Sequence, residues 1–482
     1  MVDQRGDVEG RITRRNFIRT VPVGLGALAT AHNMLAESDQ NKPSKASLPT
    51  GRFVVGIQTH AHDFLHEGTE NVIETVRTKA GVNAVLTCAT YVKENMHLPH
   101  NPKFNRYSTQ GGFYFNFDPK LYANSTIKPV RSPEEGVKDF DAIRVVSEAC
   151  RKKRVRFYAW VSSFNYPQEA PAYPDHQVVA ANGQRHTDWF CPNSSVARDF
   201  SLRVYEDLVK HYDLDGVFVD RFRFPDDLTT CFCDHCTTKM KDSGLNAERI
   251  RQAVLALTQK TSNMSYLALT TLGMSIDPAF YMSELPEFAD LVRFKMDTIT
   301  GYVRSLHERV KSINPRVEVG LDMFSPSVAW QVGQEPTAIA QYCDWIKPMV
   351  YHLGDGYYAI RAIREMANQG AGKPQQTYEG VKLTMRAKGI DLPDRFEEFQ
   401  KTSFPVSWVQ TEMELTRKLT GAQKPLYAGL QLWEPTAPNV VVDAIRAAMR
   451  ARSDGVFLYC YGWSSLENMD AAGITLRQLG LV

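Results

Sequence analysis

Tyr212-Asp213-Leu214-Asp215-Gly216-Val217-Phe218-Val219-Asp220-Arg221-Phe222-Arg223-Phe224-Pro225 passes from an Asp-Gly turn signal at 215–216 into the apolar run 217–219 and stops at a proline. Such a short run, rich in Val and Phe and bounded by turn residues, reads as a buried strand over Gly216–Phe222. Side chains alternate along a strand. If Val217 and Val219 face a helical layer, then Gly216, Phe218 and Asp220 face the opposite side. A carboxylate thus stands at the C-terminal end of a strand that is otherwise apolar.

Seven further runs of the same kind flank it: Phe53–His60, Val82–Ala89, Val155–Ser162, Val317–Phe324, Asp344–Tyr351, Leu426–Trp433 and Gly455–Gly462. Helical patterns separate them. Ser132-Pro133-Glu134-Glu135 has the form of a capping box with proline at the first helical position, leading into Val137, Phe140, Ile143 and Val146. Phe200, Val204, Leu208 and Tyr212 share a helical spacing within 199–212. Eight strands alternating with helices predict an α/β fold of the (β/α)8 TIM-barrel class over residues 51–482. A plain barrel needs about 250 residues. The excess falls in long loops at about 91–131, 163–195 and 223–290, and before the seventh strand. Their aromatics Phe113, Tyr114, Phe115 and Trp189 either stack on a ligand or pack the loops.

The first fifty residues stand apart. Thr13-Arg14-Arg15-Asn16-Phe17-Ile18-Arg19 followed by the Gly- and Ala-rich stretch 21–31 has the pattern of a twin-arginine signal peptide, assigned to 1–36, with a polar linker over 37–50. The export machinery is then a partner, and the mature chain is expected in the periplasm or outside the cell. The apolar stretch is too short to span a bilayer, and no later segment qualifies. The chain of 482 residues is 43% hydrophobic and 23% charged with a net charge of +2, which gives no reason to expect nucleic acid as a partner.

The Asp-Gly-x-x-x-Asp strand at 215–220 resembles the fourth strand of the alpha-amylase, alpha-galactosidase and glycosyl hydrolase-like barrel families. Trp189-Phe190-Cys191-Pro192-Asn193 upstream resembles the approach to that strand in the last of these families. Asp344-Trp345-Ile346-Lys347-Pro348-Met349-Val350-Tyr351 resembles their sixth strand. The resemblance covers most of 51–482 and implies hydrolysis of glycosidic bonds in an oligo- or polysaccharide by two carboxyl groups. It implies Asp220 as nucleophile or base. The structural alternative for Asp220 is a carboxylate paired with Arg221 or Arg223. The partner is Asp322, inward at the end of the fifth strand, or Glu434, which follows the seventh. Gln58, His60, Trp160, Arg221, Tyr351, Gln431, Trp433 and Tyr459, at or near strand ends, supply hydrogen bonds and flat faces suited to a carbohydrate substrate.

Catalysis of this kind requires no cofactor. A Cys231-x-Cys233-x-x-Cys236 cluster, with Cys191, fits either a structural zinc or disulfides formed after export. Its spacing resembles the cysteine cluster of zinc-containing beta-galactosidases. Two other functions compete. His60-Ala61-His62 looks like the metal pair of amidohydrolase barrels, although only His352 adds to that set. The other is a carbohydrate-binding barrel without catalysis.

Overall fold

The computed structural model describes residues 53–226, 229–262, 286–354 and 373–482, apart from 388, and a few positions between 354 and 373. The twin-arginine segment and the linker lie outside the described residues. Eight parallel strands form the barrel: β1 (Val54–Thr59), β2 (Ala84–His97), β3 (Arg156–Ser162), β4 (Gly216–Asp220), β5 (Glu318–Phe324), β6 (Trp345–Met349), β7 (Tyr427–Gln431) and β8 (Gly455–Tyr459). Each pairs with its neighbour in sequence, and β1 pairs with both β2 and β8, which closes the sheet. The fold is the expected (β/α)8 barrel.

The helices bury apolar stripes on the outer face of the barrel. Val55, Ile57, Val85, Val217, Val219, Leu321 and Ile346 belong to this outer core. The inside of the barrel is unusually aromatic. Phe218 stacks on Trp345 with centroids 5.6 Å apart, and Tyr427 stacks on Phe457 at 5.0 Å. Rings of this size fit because glycines stand beside them on the adjoining strands, Gly320 opposite Trp345 and Gly56 opposite Phe457. A Cβ on Gly320 would fall 2.0 Å from Trp345, and one on Gly56 would fall 2.5 Å from Phe457. Large and small residues on adjoining strands thus interlock inside the barrel, below its mouth.

Three segments depart from the sequence expectation. β2 runs well beyond Ala89 to His97 and pairs antiparallel with Arg106–Phe113, so a hairpin arm rises from the barrel where a loop was expected. The helix expected from Pro133 begins at Ala142, capped by Asp141. Gly136, at φ +74°, breaks the early part. Glu134 does not cap a helix. Its carboxylate accepts hydrogen bonds from Tyr107, Tyr114, Ser132 and the amide of Gln110, tying the arm to the barrel. Third, a 28-residue helix, Pro286–Ile313, starts inside the stretch read as loop. The expected helix near 199–212 is present as Ser195–His211, with Ser194 as its cap.

Candidate functional site

Asp220 stands at the last position of β4, where it is 5% exposed. Strand alternation turns it inward, as expected, and two donors hold its carboxylate. The indole nitrogen of Trp160, from β3, donates to Oδ2 at 3.0 Å, and the amide of Arg221 donates to Oδ1 at 2.6 Å. Arg221 sits at φ +48°, a conformation uncommon for a residue with a side chain. This turn keeps the guanidinium beside the carboxylate it follows. Burial works against the charge of Arg221, but Asp220, Tyr91 and Glu94 raise its pKa. Arg223 pairs with Asp226 instead and lies over the rings of Phe324 and Trp189. Asp215, at the foot of the strand, accepts from the amide of Phe157 and is structural.

Asp322 lies on β5 beside Asp220, since Val219 and Leu321 are register partners and the next position on each strand is the acid. It is 3% exposed. Its neighbour across the ladder is Lys347 of β6, whose Nζ donates to Asp322 Oδ1 at 2.9 Å and to the Tyr351 hydroxyl at 2.6 Å. Burial pushes the Asp322 carboxyl up to about 7; Lys347 opposes the rise and Asp220 adds to it. Burial likewise lowers Lys347, with Asp322 opposing. Room for the lysine comes from Gly429 on β7, where a Cβ would stand 2.4 Å from Lys347 Cε. Two inward carboxyls on neighbouring strands, one drawn toward neutrality, have the makings of an acid and a base.

Aromatic rings surround these acids. Tyr459 is edge-on to Trp160, Trp433 and Trp463 and stacks on Tyr351 at 5.4 Å. Its hydroxyl meets that of Tyr91 at 3.0 Å, and Tyr91 in turn donates to Glu94 on the hairpin arm. Gln431 accepts from the amide of Leu353. Gln58 is fully buried with neither amide atom partnered. Beside the mouth a cleft of about 380 Å³ is lined by Glu94, Asn165, Asp188, Trp189, Arg221 and Arg223, among others. Trp189 lines that cleft, whereas Phe113, Tyr114 and Phe115 are buried and pack the loop. Glu434 lies apart: its side chain is 73% exposed and meets His97 at 3.4 Å. The structure brings Asp220 and Asp322 together and leaves Glu434 outside the buried set.

His60 follows β1 directly and lies inside the same ring of aromatics, with Tyr91 at 4.7 Å and Trp160 at 5.4 Å. His62 stacks on it at 5.2 Å. Asp63 accepts the His60 amide through Oδ2 at 2.8 Å, and its Oδ1 is 3.5 Å from His62 Nε2. Burial lowers the pKa of His60 to about 3, depresses His62, and raises Asp63. His352 is buried after β6, with its pKa lowered by burial to about 4.

The cysteines form a second polar knot. Cys191 comes from the loop after β3; Cys231, Cys233 and Cys236 come from the loop after β4. All four are buried and unbridged. Their sulfurs lie within 4.8 Å of one another, with Cys191 to Cys236 at 3.4 Å and Cys191 to Cys231 at 3.9 Å. Four thiolates at 2.3 Å from a tetrahedral zinc have sulfurs about 3.8 Å apart. The amides of Asn193 and Val179 donate to Cys191 and Cys231, and the Asn193 side chain donates to Cys236, as suits sulfurs carrying negative charge. The residues fit the metal. Cys88, Cys150, Cys343 and Cys460 are also buried and unbridged.

Sequence reasoning passed over Lys347, Tyr91, Glu94, Asp63 and Trp463. A signal existed for Lys347, a lysine in the middle of an apolar strand with the same parity as the inward Trp345. For Tyr91 and Glu94 there was none, because the arm was read as a loop.

Among solved structures, the chain is similar to the glycoside hydrolase domain of PgaB (BpsB) from Bordetella bronchiseptica, with a TM-score of 0.51 and 14% identity over 86% of this chain and 95% of that one. It is also similar to Gan42B, a GH42 beta-galactosidase from G. stearothermophilus, with a TM-score of 0.51 and 14% identity over 90% of this chain and 58% of that one. At such identities the likeness is one of fold. In sequence it is 22% identical over 250 residues to glycosyl hydrolase YngK of Bacillus subtilis, a match covering 46% of each chain. An S-layer-related protein of Niallia circulans is 24% identical over 304 residues, which are 60% of this chain and 15% of that one. The matches therefore span less than half of these relatives' own lengths. Residues 121–353, which carry β3 to β6 and with them Asp220, Asp322 and Lys347, match the family described as Glycosyl hydrolase-like 10.

Proposed function

We propose that this protein hydrolyses glycosidic bonds in an oligo- or polysaccharide at the mouth of its barrel. The observation that carries the reading is the pair Asp220 and Asp322, inward on neighbouring strands and held in unlike surroundings. Asp220 has a guanidinium and two hydrogen-bond donors beside it and acts as the nucleophile or base. Asp322, drawn toward neutrality by burial, is the proton donor to the leaving oxygen. Trp160, Tyr351, Trp433 and Tyr459 offer faces and edges to the sugar rings, and Gln58 and Gln431 offer amide hydrogen bonds. The resemblance to glycoside hydrolase relatives supports this reading.

The test is a panel of glycans presented to the purified protein and to Asp220→Asn. Turnover by the wild type and a large loss in the variant are expected, with both binding the same glycan. Glycan affinity without turnover by either would leave a binding barrel, the competing reading.

The four thiolates hold a structural zinc in this proposal. It would join the loops after β3 and β4, which wall the cleft, and take no part in the reaction. Twin-arginine export carries folded proteins, so the zinc would be bound before the chain leaves the cytoplasm.

A further inference from the structure

We propose that His60, His62 and Asp63 form a second metal site, which takes a divalent first-row cation, zinc most readily, at the wall of the barrel mouth. The three residues are at most 2% exposed. Both nitrogens of His60, both of His62 and Oδ1 of Asp63 are buried without a hydrogen-bond partner. A buried polar atom that nothing satisfies is costly to keep. One such atom from each of the three residues faces the others, a convergence that packing does not require.

The geometry suits a cation. One ligand atom from each residue lies within 4.8 Å of the others. The edge from His62 Nε2 to Asp63 Oδ1 is 3.5 Å, close to the about 3.4 Å that separates tetrahedral ligands held 2.0–2.1 Å from zinc. The backbone sets the ligands in place. Asp63 accepts the His60 amide through Oδ2, which leaves Oδ1 free and fixes the carboxylate at the start of the helix Ala61–Glu67. A Cβ on Gly462 would stand 2.3 Å from Asp63 Oδ1, so only glycine lets the loop after β8 pack against that carboxylate and hold it in place.

Two imidazoles and a carboxylate are the donor set of an open zinc site, which keeps a position for an outside ligand. Here that ligand would be an oxygen of the sugar. His60 touches Trp160, and Trp160 holds Asp220, so a sugar oxygen on the cation would share the mouth with the carboxylate.

Cobalt and zinc loading test the site without a substrate, so its failure is separate from failure of the hydrolase reading. Protein stripped with a chelator is saturated with Co²⁺ or Zn²⁺, desalted and analysed for metal, alongside His62→Ala and Asp63→Asn. The wild type is expected to hold about one equivalent more than either variant. The thiolate-to-cobalt charge-transfer band should be equal in all three, which shows that the variants are folded and the cysteine knot intact. Equal metal content in wild type and variants overturns the proposal. If the variants do not fold, the wild-type spectrum decides. A component with nitrogen and oxygen ligation alone supports the site, and a spectrum of thiolate ligation only, or none, overturns it.

Discussion

The barrel mouth and the cysteine knot both gather polar side chains out of water, but they hold them by different means. At the mouth, Asp220, Asp322 and Lys347 come from three adjacent strands whose ladder fixes them before any side chain is considered. In the knot, four sulfurs come from two loops with little ladder of their own. Backbone supports side chains in the first case, and side chains support backbone in the second. A substitution at the mouth should therefore alter chemistry, and one in the knot should alter structure.

Asp220→Asn tests the mouth. The amide keeps an oxygen for the Trp160 indole but loses the charge beside Arg221. Turnover should fall by about 10²–10⁴-fold, the range for loss of a positioned acid or base. Thermal melting on the same preparation should show the barrel still folded. Full activity in the folded variant would remove Asp220 from the reaction.

Cys236→Ser tests the knot. Loss of one thiolate should leave far-ultraviolet dichroism near that of the wild type while exposing 163–195 and 229–262 to proteolysis. Limited digestion followed by mass spectrometry locates the cuts. Cleavage elsewhere, or none, would show that the sulfurs are not the support proposed.

Between these lies the ionisation of Asp322. Its folded pKa of about 7 exceeds the unfolded value of about 3.9, so the folded protein holds the extra proton between those values. Its contribution to stability is therefore greatest at low pH and declines as pH rises through that window. Asp322→Asn should flatten the fall in melting temperature between pH 4 and 7. In activity, Asp322 as proton donor gives a loss of kcat/KM as pH rises past about 7. Lys347→Met removes the opposing cation and should move that limb to higher pH. An unmoved limb would separate Asp322 from the reaction.

The smallest effect is expected at Glu434. Exposed and paired only loosely with His97, its replacement by Gln should change kcat/KM within about twofold, the equivalent of the about 0.5 kcal/mol typical of surface positions. A large loss would return Glu434 to the reaction and sharpen the search for a loop movement.

What the sequence disclosed follows the same division. The strands were legible because their runs are apolar and alternate, and parity then placed Asp220 and Asp322 inward. Glu434 follows strand seven in sequence, but the Leu432 amide makes the last bond to Tyr459 of β8, and two residues on, the Glu434 side chain is exposed. The hairpin arm was illegible because Lys93, Glu94 and Asn95 carry no apolar alternation. Its pairing with Arg106–Phe113 is set by contacts across the chain rather than by local pattern. Glu134 shows the same limit. A local capping signature gave way to three distant donors, Tyr107, Tyr114 and the Gln110 amide, beside the nearby Ser132.

Gly429 has no functional group, yet the position of Lys347 depends on its lacking a side chain. A survey that replaces only charged and aromatic residues would never touch it. Gly429→Ala would evict the ammonium from beside Asp322 without altering a single titratable atom. The resulting protein would carry an intact set of polar residues and a displaced charge. Tolerance to substitution around this mouth is thus governed as much by empty volume as by chemistry, and in any engineered descendant position 429 would act as a silent veto.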